Sequence, residues 1–407
     1  MTLDHRIAPI AAALALGIAT LASVARAATG YDHDDARCHA LASRGAAAGP
    51  RADPDCQVVL TFATVGDSRE EEGASYLTPQ DAVWLQNSKV WSRMMREIER
   101  HQPELLFFNG DMIMGYGDAA TAANHEKMNR QYAFWRGMVT RLLESGTYVV
   151  PVPGNHETQD KKAGKISKVA NEVLWRDNMA DLILDAERFQ DLVGSAPAGF
   201  STANNPCGPV ANGACTAVTA AADHVTTDQT QLSYSFDVGS SHFVVINTDP
   251  VGHDAHAPAA WLAQDLAAAK QAGAARFFVF GHKPAYSYFY PLASGVPTAK
   301  TNGLDSVSDL SGRDAFWSLV EQYGATYFCG HEHVYHPSRP LGGAWQVIVG
   351  SGGSPFESDT VQPIDRTYAY AVVTIFASGR VHATTYGFPE GLGPTQQLAS
   401  WDLHEAR

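Results

Sequence analysis

The sequence predicts an α/β protein, because buried strands alternate with amphipathic helices along the chain. Five apolar, β-branched or aromatic runs have the composition of buried strands: VVLTFATV, ELLFFN, YVVPVP, ARFFVF and ATYFC. Between the first two runs, residues 79–102 place Val83, Val90, Met94 and Ile98 near helical spacing. This order of strand, helix and strand is typical of a β-α-β unit.

The later segments continue the alternation and predict a second sheet. Residues 232–238 and 242–248 are predicted strands joined by Gly239-Ser240, which indicates a hairpin that begins this sheet. A loop rich in glycine, proline and asparagine, residues 194–213, precedes them. The other predicted elements are helices at 121–144, 169–193, 260–271 and 313–323, and strands at 345–349, 368–375 and 381–386.

A short polar segment follows each of the five strand-like runs, and each segment begins with glycine. The segments are Gly66-Asp67-Ser68-Arg69, Gly110-Asp111, Gly154-Asn155-His156-Glu157, Gly281-His282 and Gly330-His331-Glu332-His333. Strand ends of this kind converge at one edge of a sheet, where open α/β folds place their ligand sites. Oxygen and imidazole ligands without thiolates suit Mn, Fe, Zn or Mg-like ions rather than a closed structural zinc site. The pattern therefore indicates metal-dependent chemistry.

The five motifs, in this order, resemble those of the calcineurin-like metallophosphoesterase superfamily. The resemblance extends from about Gln57 to Tyr386. Around GHEHVYHPSRP, the sequence is similar to the purple acid phosphatases. It implies a four-layer fold, in which two mixed β-sheets pack as a sandwich flanked by helices. It also implies a hydrolase that acts on phosphate esters through two metal ions.

The resemblance assigns a role to each motif residue. Its implied metal ligands are Asp67, Asp111 and His333 for the first ion, and Asp111, Asn155, His282 and His331 for the second. Asp111 is the natural bridge, because a carboxylate has two oxygens. His156 is implied to protonate the leaving oxygen or to stabilise the transition state. Glu157 and Glu332 are expected to orient the imidazoles by hydrogen bonds.

The expected reaction is hydrolysis of small phosphomonoesters by metal-activated water at a dinuclear centre. The two ions are expected to be divalent or of mixed valence, with Mn, Fe and Zn as the candidates. Two alternatives stay open. One is a phosphodiesterase of the same fold, and the other is a metal- or phosphate-binding protein without turnover.

Two positions depart from the patterns of relatives. Arg69 stands where many relatives have a histidine ligand, and a guanidinium cannot ligate a metal. The first ion is then expected to have fewer protein ligands. Arg69 either holds phosphate oxygens bidentately or pairs with one of the glutamates at 70–72. Met114 stands where purple acid phosphatases have a tyrosine iron ligand, so a tyrosinate-bound iron is not expected, and Tyr116 is not expected to replace it.

Several other residues near the motifs have two interpretations. Aromatic side chains after His282 either stack a substrate ring or pack within their loop; they are Tyr286, Tyr288, Phe289 and Tyr290. The glycine-rich run 350–355 is expected to be a tight turn. Five histidines outside the motifs are expected to be solvated, namely His125, His224, His253, His256 and His336.

The predicted domain organisation is one large catalytic domain with shorter flanking segments. Residues 1–27 have the charged start, apolar run and Ala25-x-Ala27 of a secretory signal, which predicts export to the periplasm or the medium. Residues 28–56 are predicted as an N-terminal arm, 57–390 as the catalytic domain and 391–407 as a C-terminal tail. No other segment is long and apolar enough for stable membrane insertion.

The net charge limits the classes of binding partner, and the cysteines suggest disulfide pairs. The 43 acidic and 29 basic residues give a net charge of −14, which argues against nucleic acid or an acidic membrane but not against a small phosphate-ester substrate. Export permits disulfides. The expected pairs are Cys207–Cys215 and Cys38–Cys56, with Cys329 as a buried free thiol. The sequence does not predict the oligomeric state.

Overall fold

The computed structural model describes residues 30–31, 38, 53–203, 223–288, 301–307, 310–357 and 360–404. The predicted signal segment 1–27, most of the arm 28–56 and the pair Cys207–Cys215 lie outside these ranges. A disulfide joins Cys38 to Cys56, as predicted, and Cys329 is a free buried thiol. Within the described ranges, no helix is long and apolar enough to cross a membrane.

The described elements alternate between strands and helices along most of the chain. The strands are β1 Gly30–Tyr31, β2 Gln57–Val65, β3 Leu105–Asn109, β4 Tyr148–Val152, β5 Gln159–Asp160, β6 Ile166–Ser167, β7 Ala198–Thr202, β8 Tyr234–Val238, β9 Ser241–Val245, β10 Arg276–Phe280, β11 Thr326–Cys329, β12 Tyr335–Ser338, β13 Gln346–Val349, β14 Thr367–Phe376, β15 Val381–Pro389 and β16 Gln396–His404. The α-helices are α1 Pro79–Trp84, α2 Ser88–Glu99, α3 Ala122–Glu144, α4 Asn155–Thr158, α5 Val169–Met179, α6 Ala186–Val193, α7 Ala259–Ala272 and α8 Ser311–Gln322.

Fourteen of these strands form two mixed seven-stranded sheets, and β5 pairs with β6 in a separate two-stranded sheet. The first has the order β16-β15-β14-β2-β3-β4, with β1 paired to β2, and its β2-β3-β4 half is parallel. The second has the order β12-β13-β11-β10-β9-β8-β7, and its central β13-β11-β10-β9 part is parallel. In each sheet, parallel strands carry their polar ends to the same edge. The fold class predicted from the sequence is therefore confirmed.

An aromatic core holds the two sheets face to face. Phe62 on β2 makes edge-to-face contacts with Phe107 of its own sheet and with four rings of the other sheet, with centroids 5.0–5.8 Å apart; those four are Phe243, Phe278, Phe280 and Phe328. Phe107 and Phe280 stack across the interface at 3.7 Å. Full burial of one phenylalanine contributes about 1.5–3 kcal/mol, so this cluster is a major source of stability.

Helices cover the outer faces of both sheets. Helices α2 and α3 bury Trp91 and Trp135 against Phe108 on the first sheet. Helix α8 buries Phe316 against Tyr327 on the second sheet, in a separate apolar cluster that includes residues of α7. Four layers result, in the order helix, sheet, sheet and helix.

Three elements differ from the sequence predictions for local reasons. The helix expected over 79–102 is two helices, because Leu85 adopts φ 52° and Asn87 caps a new helix by accepting from the Val90 N–H. The helix expected over 169–193 is likewise broken, and Asp185 caps α6 by accepting from Arg188 N–H. The loop expected over 194–213 contains β7.

The C-terminal segment belongs to the first sheet. Residues 391–407 were expected to be a tail, but β16 pairs along β15 from His404 opposite Val381 to Gln396 opposite Gly387. Buried and exposed residues alternate only weakly along β16, so the sequence of this segment shows little of the period-2 pattern that predicts a strand.

Candidate metal centre

Both sheets contribute strand ends to one polar cluster. Asp67, Asp111 and Asn155 follow β2, β3 and β4 of the first sheet, while His282 and His331 follow β10 and β11 of the second. Glycine is required at one of these turns: Gly110 has φ 82°, and a Cβ there would lie 2.6 Å from Nδ1 of His282. The structure thus brings together the residues that the motifs singled out.

Three of these residues have positive φ, which sets the direction of their side chains. Asp67, Asp111 and His331 have φ of 61°, 54° and 70°. Such a conformation costs a non-glycine residue of order 1–3 kcal/mol and is concentrated at functional sites. The backbone here is held by tertiary hydrogen bonds, since the His331 N–H donates to the Asp67 carboxylate at 3.0 Å.

The cluster divides into two donor groups that share Asp111. One contains Asp67, Asp111 and His333, and the other contains Asp111, His282 and His331; within each group the donor atoms lie within 4.8 Å of one another. Oδ1 of Asn155 joins the second group, 2.8 Å from Nε2 of His282 and 3.0 Å from Nδ1 of His331. This is the same division that the superfamily resemblance implied.

The donor set fits a pair of hard or borderline cations. One buried atom of the cluster, Oδ2 of Asp111, has no hydrogen-bond partner among the described residues. Orphaned buried polar atoms are rare and costly in native proteins, and a metal ion satisfies them. The set has carboxylate, amide and imidazole donors and no thiolate, which agrees with Mn, Fe, Zn or Mg-like ions.

The charges of the cluster compensate one another. Burial opposes ionisation of Asp111, but His156 and His282 outweigh it and hold its pKa well below the ordinary value. Burial also opposes protonation of His282, yet the Asp111 carboxylate raises the pKa of His282 to about 9. In Asp67, burial raises the pKa well above its ordinary value. Asp111 and His282 thus form a buried ion pair, in which Oδ1 of Asp111 lies 3.0 Å from Nε2 of His282.

Arg69 reaches into the first donor group. Its side chain is almost fully buried, with Nε 3.5 Å from Oδ2 of Asp111 and Nη2 3.4 Å from Nε2 of His333. Nη1 donates to the carboxylate of Glu71, which is half-exposed. Of the two roles considered for Arg69, the ion pair with a neighbouring glutamate is therefore present. The guanidinium also faces the centre.

His156 lies beside the shared carboxylate. Its Nδ1 donates to the carbonyl of Met114 at 2.5 Å, and its Nε2 lies 3.6 Å from Oδ2 of Asp111. Burial, with the charge of Arg69, holds the pKa of His156 well below its ordinary value. Nε2 is the ring nitrogen that this imidazole presents to the centre.

The chain matches the family model described as calcineurin-like phosphoesterase over residues 60–335. It belongs to the calcineurin-like phosphoesterase family. The match includes all five motifs and the strands that carry them. The assignment to the phosphate-ester hydrolases, which the order of the motifs predicted, is thereby confirmed.

Solved structures similar to this calcineurin-like phosphoesterase chain are distant. A purple acid phosphatase, PPD1 from yellow lupin (Lupinus luteus) seeds, is 15% identical with a TM-score of 0.47, over 84% of this chain and 53% of the lupin chain. A dimetal phosphatase from Danio rerio is 12% identical with a TM-score of 0.41, over 85% and 99% of the two chains. This chain thus spans about half the length of the lupin protein. No curated protein matches it.

Among the residues that the structure describes, the carboxylates of Glu157 and Glu332 accept hydrogen bonds from backbone groups and not from the imidazoles that they were expected to orient. The Glu157 carboxylate accepts from the backbone N–H of Asp111 at 2.9 Å, of Gly154 at 2.7 Å and of Ile113 at 3.1 Å. Glu332 accepts from the N–H of Tyr288 at 2.6 Å. Glu157 therefore fixes the backbone turn that carries Asp111, the carboxylate that the two donor groups share.

Backbone groups orient two of the imidazoles, and sequence patterns gave no sign of this. The carbonyl of Asn109 accepts from Nδ1 of His282 at 2.7 Å, and the carbonyl of Pro355 accepts from Nδ1 of His333 at 2.6 Å. The glycine-rich run 350–355 also supports the Asp67 turn, because Ser354 N–H donates to the Asp67 carbonyl at 2.9 Å.

The remaining candidates lie apart from the centre. Tyr286 packs on Trp317 and Tyr288 packs on His336, so these two aromatics belong to the loop core; Phe289 and Tyr290 lie outside the described ranges. Three of the five other histidines line a cavity of about 830 Å³, namely His224, His253 and His256. Burial, with His253 nearby, lowers the pKa of His256 to about 4, so this histidine is less solvated than expected.

Proposed function

We propose that this chain is an exported, metal-dependent phosphoesterase that hydrolyses small phosphomonoesters at a dinuclear centre. The observation that carries the proposal is the pair of donor groups joined by Asp111, with Nε2 of His156 3.6 Å from the shared carboxylate. A two-ion site beside a positioned imidazole can promote in-line hydrolysis at phosphorus.

The first donor group, Asp67, Asp111 and His333, and the second, Asp111, Asn155, His282 and His331, would hold the two ions. When bound, such ions supply an activated water and withdraw charge from the phosphoryl oxygens. His156 provides the only imidazole of the centre that is not assigned as a ligand, and its Nε2 is placed to hold or deliver a proton at the leaving oxygen.

Arg69 favours a monoester over a diester as the substrate. Its buried guanidinium faces the cluster beside Asp111 and His333, where it can donate to phosphoryl oxygens. A monoester carries more negative charge than a diester at neutral pH, so a fixed cation gains more from it. The acidic surface of the chain argues against polyanionic partners, as the composition indicated.

Export is supported by the N-terminal signal pattern and by the Cys38–Cys56 disulfide, which is the kind of bond that persists in oxidising compartments. We therefore expect the chain to be secreted, without its signal segment, to the periplasm or the medium.

The test is a comparison of initial rates on an aryl phosphomonoester and the matching diester, after loading the purified chain in turn with Mn, Fe, Zn or Mg. We expect faster monoester turnover that a chelator abolishes and added metal restores. Preferential diester turnover would assign the chain to the phosphodiesterases. Absence of turnover with every metal would favour a binding protein.

A further inference from the structure

Tyr116 occupies a tightly constrained position next to the candidate centre. It has φ 53° and follows Gly115 with φ 46°, where a Cβ would lie 1.9 Å from the carbonyl oxygen of His156. The Tyr116 N–H donates to that same carbonyl at 3.1 Å. The turn at 115–116 is therefore fixed directly against the segment that carries Asn155 and His156.

The Tyr116 side chain contacts both of these residues. Its ring centroid lies 3.6 Å from that of His156, with the planes tilted by 33°. Its hydroxyl oxygen accepts a hydrogen bond from Nδ2 of Asn155. The outer side of the ring faces Lys161, whose Nζ lies 5.6 Å from the ring centroid. Tyr116 thus lies between the Asn155–His156 segment on one side and Lys161 on the other.

The contact with Asn155 matters because the two ends of an amide are chemically different. Only Oδ1 can ligate a cation, whereas Nδ2 is a donor that repels it. In this structure Oδ1 faces His282 and His331, at 2.8 Å and 3.0 Å. The Tyr116 hydroxyl is the acceptor that holds Nδ2 on the opposite side, so it selects the orientation in which Asn155 can act as a ligand.

We propose that Tyr116 is a positioning residue: its hydroxyl fixes the Asn155 amide with the oxygen toward the second donor group, and its ring restricts the His156 imidazole. This inference rests on the metal centre of the proposed function, and it adds a residue that lies outside the five motifs. Partners of this kind behind a ligand typically change metal affinity or activity by about 10–100-fold when they are removed.

The first experiment measures Mn²⁺ binding to the metal-free protein by calorimetry, for wild type, Tyr116→Phe and Tyr148→Phe. Tyr148→Phe is the matched control. It also removes one tyrosine hydroxyl and the hydrogen bond that this hydroxyl accepts, from the Asp185 N–H, but at the opposite end of β4 from Asn155. We expect Tyr116→Phe to weaken one of two Mn²⁺ sites by about 10–100-fold and leave the other unchanged. Tyr148→Phe should bind both ions like wild type.

A second experiment separates orientation of the amide from a general structural effect. A carboxylate at position 155 has two equivalent oxygens and needs no orienting partner, so in an Asn155→Asp background the Tyr116→Phe change should alter Mn²⁺ affinity less than about 3-fold, well below the effect in the wild-type background. Equal effects of Tyr116→Phe in both backgrounds would overturn the proposal.

The outcomes also distinguish this inference from the proposed function. If wild type binds two Mn²⁺ ions and Tyr116→Phe binds them with the same affinities, Tyr116 has no positioning role, while the phosphoesterase proposal stands. If wild type binds none of Mn²⁺, Fe²⁺, Zn²⁺ and Mg²⁺, the metal centre fails and this inference fails with it. Thermal unfolding of each variant establishes that the proteins compared are folded.

Discussion

The Nε atom of Arg69 lies 3.5 Å from Oδ2 of Asp111, so a buried guanidinium adjoins the one carboxylate that both donor groups share. The guanidinium partly neutralises the carboxylate at Oδ2, while Oδ1 lies 3.0 Å from Nε2 of His282. We therefore expect substitutions of Arg69 to change both the preference for substrate charge and the affinity for metal.

The variant Arg69→Gln should lower kcat/KM for an aryl phosphomonoester by about 10–100-fold, the equivalent of about 1.5–3 kcal/mol for hydrogen bonds to charged groups. The matching diester should lose less, because it carries less charge. Steady-state kinetics on both esters measures the difference. Glu71→Gln, which removes only the negative charge of the partner of Nη1, is the control. Equal losses on both esters would exclude a role for Arg69 in recognising the charge of the monoester.

The variant Arg69→His should strengthen the weaker of the two metal sites. Its imidazole supplies a nitrogen donor to a group that has Asp67, Asp111 and His333, and it removes a competing cation. We expect at least about a 10-fold gain in affinity for the second equivalent of Mn²⁺, measured by titration of the metal-free protein. Arg69→Gln removes the charge without adding a donor, so a comparable gain in that variant would show that repulsion alone limits the site.

The variant His156→Ala should lower kcat by about 10²–10⁴-fold while the metal content of the purified protein stays the same. The reason is that Nε2 faces the centre while no ligand role is assigned to this imidazole. Elemental analysis and initial rates are measured on the same preparations. His125→Ala, an exposed histidine on α3, should keep full activity. Loss of metal in parallel with activity would make His156 a ligand instead.

The variant Phe62→Ala should destabilise the fold by about 3–5 kcal/mol, because it removes a ring that contacts both sheets and leaves a cavity. Urea unfolding followed by circular dichroism gives the free energy of unfolding. Val59→Ala changes an exposed residue of the same strand and should stay within about 0.5 kcal/mol of wild type. A small effect of Phe62→Ala would mean that the sheets do not depend on this cluster for their packing.

The His242 imidazole should make stability depend on pH. Burial opposes its protonation, but Asp265 at 2.9 Å and Asp237 at 2.7 Å outweigh burial and raise its pKa above the ordinary value. A raised pKa in the folded state stabilises the protein fully below the unfolded pKa of about 6.5, and this contribution is lost as pH rises through the folded value.

The difference in unfolding free energy between wild type and His242→Gln should therefore be largest in mildly acidic solution and shrink as the pH rises. Urea unfolding at several pH values measures it, and groups that titrate equally in both proteins cancel in the difference. His382→Gln is the comparison at the surface, where the imidazole pairs with Asp402 in a more exposed setting and should contribute about 0–1 kcal/mol. A pH-independent difference for His242→Gln would contradict the expectation.

The sequence was sufficient for the features that repeat or that follow a local pattern. Each strand that ends in a motif is a run of apolar residues, so the five strand ends and the residues on them could be predicted. The role of Glu157 could not, because its partners include backbone groups of a segment that lies 46 residues away. The contacts of Tyr116 with Asn155 and His156 could not be predicted either, because its position depends on two successive residues with positive φ, which no periodicity reveals.

The donor groups of the candidate centre come from two different sheets, and this has a thermodynamic consequence. Cations bound between the β2-β3-β4 edge and the β10-β11 edge would act as a removable crosslink across the sandwich, additional to the aromatic core. Binding to the native state alone stabilises a protein by RT ln(1 + [L]/Kd), or about 2.7 kcal/mol when free metal is 100 times Kd. The melting temperature of this chain should thus report how much metal its surroundings supply, whether or not any substrate is present.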